Sequence, residues 1–294
     1  MIYRRGQRVL VQGITGKQGS FWAQKMIATG TTIVGGVNPK RAGETFLGVP
    51  VFASARAAMV DAPFDVAVMF IPPDAAGAAA LDAIEAGVRT LVILTEHIPA
   101  HDVLFIREAA AAHGTVIVGP NTAGLVTPGE ASVGIMPGHN ANIFRPGTVG
   151  VISRSGSLGT LICLNLTRAG LGQSAFIGIG GDPMIGTSTL GALKALDADP
   201  DTDAVVIVGE IGGAMEEEAA GYAAQMVKPV VAFIAGRVSP PDRKMGHAGA
   251  IVTGSAGSYG GKRRALEEAG VSVADTPAQI PELINAWLGI QPPS

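Results

Sequence analysis

The chain has 294 residues, enough for two ordinary domains and a sizeable core. Only 15% of residues are charged, against about 25% in an average soluble domain, while 47% are hydrophobic, so a partner is expected to cover part of the surface. A net charge of −3 with no basic stripe gives no argument for nucleic-acid binding, and the single cysteine, Cys163, excludes an intrachain disulfide. No apolar run reaches the roughly 18 residues of a membrane span. The Met1-Ile2-Tyr3-Arg4-Arg5-Gly6 start lacks the apolar segment of a secretory leader, so a reducing, cytoplasmic setting is expected.

In chain order, the first element is a buried strand at 8–12, Arg8-Val9-Leu10-Val11-Gln12. It runs into Gly13-Ile14-Thr15-Gly16-Lys17-Gln18-Gly19 and then a helix over about residues 20–28. Further strands are predicted at 32–37, 65–71, 90–95 and 115–119, separated by helices near 53–60, 74–86 and 102–113. This alternation predicts right-handed βαβ units on a parallel sheet, and near-continuous Val, Ile and Leu says that both sheet faces are covered. The glycine-rich turn exposes backbone N–H groups at a helix N-terminus, where phosphate is favoured, and Lys17 adds charge. Its spacing, Gly-x-x-Gly-x-x-Gly, departs from the Gly-x-Gly-x-x-Gly of NAD sites. The second strand ends in Val37-Asn38-Pro39-Lys40-Arg41, with no acid to hold a ribose diol. The pattern predicts a phosphorylated adenosine ligand other than NAD, with Lys40 and Arg41 on a phosphate. The plainer alternative is a tight turn beside a solvated basic pair.

Periodicity stops from 121 to 146, where Gly, Pro, Thr and Asn predict a linker or interdomain loop. A second series follows. It has strands at 148–153, 175–178, 204–209, 230–234 and 271–273, and helices near 158–168, 187–196, 215–225, 261–269 and 277–288. This predicts another doubly wound α/β unit, of flavodoxin-like size. Ligands in open α/β sheets bind beyond the carboxyl ends of the strands, where the glycine-rich segments of this chain sit. Ser153-Arg154-Ser155-Gly156 and Gly178-Ile179-Gly180-Gly181-Asp182-Pro183 are candidate anion sites, although each alone reads as an ordinary N-cap.

Glu210, within Val208-Gly209-Glu210-Ile211-Gly212-Gly213, is a carboxylate at an apolar strand end and needs a partner. A histidine suits it, since a carboxylate fixes the tautomer of an imidazole. His247 stands in Gly246-His247-Ala248-Gly249-Ala250, where small neighbours let another group approach its ring; a glycine-rich turn with a backbone-bonded histidine is the alternative. Glu216, Glu217 and Glu218 predict a solvated first helical turn. His97, His101, His113 and His139 lack metal-ligand spacing and are expected in surface or loop roles, and Cys163 is expected in the core. Neither a Gly-x-Ser-x-Gly elbow nor an ATP P-loop occurs.

Eight motifs then stand in order: Gly-Ile-Thr-Gly-Lys-Gln-Gly at 13–19, Val-Gly-Gly-Val at 34–37, Gly-Pro-Asn at 119–121, Ile-Met-Pro-Gly-His at 135–139, Ser-Arg-Ser-Gly at 153–156, Gly-Ile-Gly-Gly-Asp-Pro at 178–183, Gly-Glu-Ile-Gly-Gly at 209–213 and Met-Gly-His-Ala-Gly-Ala at 245–250. Through them the chain resembles, over essentially its whole length, the α subunit of succinate–CoA ligase and the related nucleoside-diphosphate-forming acyl-CoA synthetases, malate–CoA ligase among them. The resemblance implies an α/β protein with a Rossmann-like CoA-binding domain at 1–122, a linker at 123–146 and a flavodoxin-like ligase domain at 147–294. It implies CoA contacts from Thr15, Gly16, Lys17 and Gln18, from Val37 and Arg41 near the adenosine end, and from Leu94, Thr95 and Glu96. It implies that His247 is phosphorylated and that Glu210 orients it. Ser153, Arg154, Ser155 and Gly156, with Gly180, Gly181 and Asp182, are implied as helix-start phosphate sites.

The implied reaction has three steps. A nucleoside triphosphate phosphorylates the histidine, the phosphoryl group passes to a carboxylate, and the CoA thiol displaces phosphate from the acyl phosphate, so that one difficult step becomes several easier ones. ATP or GTP with Mg²⁺ is implied on an ATP-grasp β subunit, with no metal held by this chain. Departures from the family pattern bear on the carboxylate. Lys40-Arg41 stands for the usual Gly-Lys, Thr122-Ala123 for the Cys-Pro after Gly-Pro-Asn, and Thr160 for a Tyr at the substrate region. Succinate is the expected substrate, with malate or another small substituted acid as the alternative. A catalytically silent CoA-binding protein is opposed by the presence of both His247 and Glu210, and a nucleotide-dependent dehydrogenase by the missing acid after the second strand.

Overall fold

The computed structural model describes residues 1–239, 247–250 and 257–290. Two seven-stranded sheets organise them. The first contains β1 (Arg8–Gln12), β2 (Thr32–Val37), β3 (Thr45–Phe46), β4 (Val49–Phe52), β5 (Val66–Met69), β6 (Thr90–Ile93) and β7 (Val116–Val118), in spatial order 3-4-2-1-5-6-7. Helices α1 (Lys17–Ala28), α2 (Ala55–Asp61), α3 (Pro73–Glu85) and α4 (Ala100–His113) make the crossovers. The chain leaves β1 toward β2 on one side and returns to β5 on the other, so a crevice opens between the carboxyl ends of β1 and β5. The β3–β4 hairpin was not foreseen. Its two-residue turn, Leu47-Gly48, has φ of 52° and 79°, the left-handed pair of a tight hairpin, but lacks the Asn-Gly signature that announces one.

The second sheet contains β8 (Gly124–Thr127), β9 (Ala131–Gly134), β10 (Pro146–Ser153), β11 (Gln173–Gly178), β12 (Ala204–Glu210), β13 (Val230–Ala235) and β14 (Ser272–Ala274), in order 14-13-12-10-11-8-9. Its helices are α5 (Gly156–Arg168), α6 (Thr189–Asp197), α7 (Met215–Ala223), α8 (Tyr259–Glu268) and α9 (Ile280–Leu288). The order around β10 is the flavodoxin-like one, and its crevice opens between β10 and β12. The stretch expected to be a linker, 123–146, instead supplies β8 and β9, which extend this sheet antiparallel from β11. Four-residue strands flanked by glycine are too short to carry a periodicity. Gly124 and Gly134 also pair so closely that a Cβ on Gly124 would meet the Gly134 Cα at 2.9 Å.

One apolar cluster runs from Val9, Val11 and Ile14 to Leu125, Val133, Ile152 and Ile177, so the two sheets share a core. Residues 119–122 cross between them. Asn121 N–H donates to Thr95 O at 2.9 Å on one side, while Gly181 N–H donates to Asn121 O at 3.1 Å on the other. Among the described residues no helix is long and apolar enough to cross a membrane.

Candidate active site

At the first crevice, glycine is dictated by contact. A Cβ on Gly13 would lie 2.4 Å from Phe70 O, and one on Gly19 would lie 2.2 Å from Gly13 O. These approaches lay the first turn of α1 against the loop. Gly16 is the N-cap of α1, no side chain caps the helix, and its first turn holds no acid, so its leading N–H groups are available to an anion. Thr15 is fixed from the end of β2 by Asn38, whose Nδ2 donates to Thr15 Oγ1 at 2.6 Å. Gly13, Gly16, Val37, Asn38, Phe70, Ile71 and Pro72 contribute to a cavity of about 560 Å³. An uncapped helix start, with the loop packed so closely against it, suits a nucleotide phosphate. Lys17 is exposed at the start of α1. Arg41 is not among the lining residues. Its Nε and Nη2 donate to Glu44 at 2.9 and 2.6 Å, and its guanidinium lies 5.5 Å over the Phe46 ring. That pairing holds the Arg41 pKa up and the Glu44 carboxyl below its usual range.

At the second crevice, the ends of β10 and β12 carry Arg154 and Glu210 side by side. Glu210, which is buried, receives His247 Nδ1 at 2.8 and 3.0 Å from its two oxygens. A carboxylate only accepts, so Nδ1 carries the proton and Nε2 keeps its lone pair for bonding. The Glu210 hydrogen bond raises the His247 pKa; partial burial opposes it, the Glu210 charge adds to the rise, nearby Arg154 lowers it and Asp182 raises it. Arg154 is buried, with Nε 3.3 Å from Glu210 Oε1 and Nη1 donating to Gly212 O at 3.3 Å. Nε lies at ion-pair distance from Glu210 with no aligned hydrogen bond, so its charge faces the carboxylate.

Beneath this pair lies a second charge layer. Glu216 Oε1 accepts from Glu210 N–H at 3.3 Å, and Lys262 Nζ donates to Glu216 at 2.5 Å, to Glu217 at 2.8 Å and to Gly213 O at 2.9 Å. Glu216 and Lys262 are wholly buried, which corrects the expectation of a solvated first turn on α7 at Glu216, while Glu217 is partly exposed and Glu218 exposed. A Cβ on Gly209 would lie 2.6 Å from Glu216 Oε1, so the glycine before Glu210 makes room for the inward carboxylate.

The two expected phosphate segments differ. Ser155 does cap α5, accepting from Leu158 N–H at 3.3 Å, while Ser153 Oγ donates to Ser155 O at 2.7 Å. Gly180–Pro183 is not a helix start, because α6 begins only at Thr189 behind its own cap, Ser188. Gly180 has φ of 105°, and Gly181 lies under the histidine ring, where a Cβ would fall 2.6 Å from His247 Cγ. Asp182 accepts from Asn121 Nδ2 at 2.9 Å. Its side chain has the wrong sign to hold phosphate, and its charge acts on His247 instead.

A cavity of about 720 Å³ joins the two crevices. Gln18, Leu94, Thr95 and Glu96 line it from the first sheet, and Arg154, Gly156 and His247 from the second. It shares the wall Phe70–Ile71–Pro72 with the smaller cavity. Thr160, expected at the substrate, is not among the lining residues; its hydroxyl donates back to Gly156 O at 2.8 Å within α5. Thr122, Ala123 and Ile135 line the cavity in its place. Met245 and Gly246 of the histidine motif lie outside the described residues. Sequence reasoning missed Glu216, Lys262 and the bridging role of Asn121. Gly209 before Glu210 was a usable signal for an inward carboxylate nearby, whereas nothing in the sequence marks Lys262.

Residues 5–97 match the family model of a CoA binding domain, and residues 152–272 that of a CoA-ligase. The chain is 48% identical to the alpha subunit of ADP-forming succinate–CoA ligase from Methanothermobacter thermautotrophicus, over 97% of this chain and 96% of that one. It is 44% identical to a subunit of ADP-forming sulfoacetate–CoA ligase from Bilophila wadsworthia, over 97% and 98% of the two chains. In fold it is similar to ATP citrate lyase from Methanothrix soehngenii, with a TM-score of 0.87 and 22% identity; all of this chain aligns, and it spans 52% of that longer one. The chain therefore belongs to the succinate–CoA ligase alpha subunit family of acid–thiol ligases, with CoA as a substrate.

Proposed function

We propose that this chain is the α subunit of a nucleoside-diphosphate-forming carboxylate–CoA ligase and that His247 carries the phosphoryl group. The observation that supports it best is the His247–Glu210 pair, with Nδ1 at 2.8 Å, in a cavity also lined by Gln18 and Leu94–Glu96. Glu210 holds the proton on Nδ1, so Nε2 takes the phosphoryl group from a nucleoside triphosphate. Arg154 and the first N–H groups of α5 balance the charge that arrives. The phosphoryl group then passes to a carboxylate, and the CoA thiol, reaching the cavity past Phe70–Pro72, displaces phosphate.

Thr15, Gly16, Lys17 and Gln18 hold CoA at the α1 start, with Val37 and Arg41 toward its adenosine end and Leu94, Thr95 and Glu96 toward its thiol. The nucleotide and Mg²⁺ belong to an ATP-grasp β subunit, a reading supported by relatives that are named as alpha subunits. The carboxylate is succinate or a small acid with a second anionic group; relatives at 48% and 44% identity act on succinate and on sulfoacetate. Malate is the alternative favoured by Ala123 in the cavity wall.

The complex with the β partner, given ATP or GTP and Mg²⁺, is expected to take up acid-labile, base-stable phosphate, and His247→Ala to abolish the uptake. Labelling that persists in the variant, or never forms in the wild type, would refute the histidine carrier. Rates of CoA-dependent phosphate release with succinate, malate and sulfoacetate then assign the acid.

A further inference from the structure

The loop from β6 to α4 presents a second imidazole to the joined cavity. His97 lines the same 720 Å³ space as His247, and its side chain is largely exposed. Its φ is +62°, a left-handed conformation that glycine adopts freely and other residues at a cost, asparagine and histidine at less than most. The strain is held from both sides. Thr95 Oγ1 donates to Ile71 O at 2.7 Å, Asn121 N–H donates to Thr95 O at 2.9 Å, and Ile98 is buried. The other charged groups in the wall are already committed or acidic. Arg154 and His247 both serve Glu210, and Glu96 is a carboxylate 3.7 Å from His97 Nε2. Gln18, Thr95, Asn121 and Thr122 supply no base. His97 is thus the one imidazole lining this cavity that is not engaged with Glu210.

We propose that His97 is the base that deprotonates the CoA thiol, an assignment that rests on the carrier reading above. The S–H bond breaks and its proton goes to an imidazole nitrogen of His97. The sulfur electron pair forms the S–C bond at the acyl carbon, the C–O bond to the phosphoryl group breaks, and phosphate leaves with that pair. The imidazolium returns its proton to water. Imidazole is the side chain suited to such a transfer near neutral pH, and His97 lines the cavity beside Leu94–Glu96, the segment that the proposed function gives to the thiol end of CoA.

The test separates the half-reactions of the complex with its β partner. Enzyme phosphorylated by labelled ATP is freed of nucleotide, then mixed with succinate and CoA while thioester formation is timed. His97→Asn keeps the tolerance for positive φ without the base, and His97→Gly relieves the strain and opens space. Both are expected to take up phosphate at the wild-type rate and to form thioester about 100-fold more slowly. Added imidazole is expected to restore His97→Gly. Wild-type thioester rates in His97→Asn would overturn the proposal. So would a defect that imidazole does not rescue, or one that saturating carboxylate removes, which would make His97 a carboxylate contact. A wild-type complex that never takes up label would sink the carrier reading itself, and this assignment with it.

Discussion

The two strand-end crevices arrange their polar groups by opposite means. At the β1–β5 crevice the groups are backbone N–H donors and exposed cations, and the surface ion pair Arg41–Glu44 sits where water screens it. At the β10–β12 crevice the charges are buried in layers, His247 on Glu210 on Arg154, with Glu216 and Lys262 beneath. A ligand that comes and goes needs a site that remains solvated when empty. A covalently carried phosphoryl group needs a ring held in one tautomer and one pose, and that takes partners that cannot relax.

Substitutions can break or sharpen this contrast. The largest effect is expected from Gly181→Ala. Its Cβ would fall 2.6 Å from His247 Cγ and push the ring off its pose, with about a 100-fold loss in the rate of phosphoryl uptake and CoA binding unchanged. Rapid-quench labelling and calorimetry with CoA read the two sides separately. Lys262→Met leaves Glu217 without its cation and Glu216 with only Arg154, 4.0 Å away, and a loss of about 3–5 kcal/mol in urea unfolding is expected, as for other broken buried pairs. An unfolding midpoint close to wild type would mean that the lower charge layer is not structural.

Glu210→Gln is expected to cost about tenfold in uptake, the worth of one charge-assisted hydrogen bond, and to move its pH dependence. Glu210 raises the His247 pKa, and uptake needs an unprotonated Nε2, so uptake rises with pH through that pKa. Removing the carboxylate lowers the pKa and shifts the acid limb to lower pH. A limb that stays in place or moves upward would contradict the pairing. The smallest effect is expected from Arg41→Ala, a loss of a few-fold in CoA affinity, within the about 1 kcal/mol typical of exposed charges. A loss as large as that of Gly181→Ala would erase the distinction between the crevices.

The α/β class and most strands were legible, because buried parallel strands spell themselves as unbroken Val and Ile runs; 8–12 and 32–37 agree with β1 and β2 to the residue. The β8–β9 and β3–β4 pairs escaped because two- to four-residue strands depend on partners distant in sequence. The Glu210–His247 pairing was legible from the cost of an apolar-flanked carboxylate. Lys262 was not, since a lysine on a polar helix looks solvated until α7 is packed against α8. The setting of Thr160 was also hidden, for another reason. Its position along α5 was clear, but the neighbour that occupies its hydroxyl, Gly156 O, is the helix's own backbone.

The crossing at 119–122 has a consequence for how the assembly is tuned. Asn121 ties Thr95 to Gly181 within a single residue, so the span from the loop after β6 to the glycine under the His247 ring is written into the covalent chain. It behaves as a ruler of fixed length. The apolar core shared by the two sheets holds that length from the other side, so a substitution at Asn121 is felt at both crevices at once.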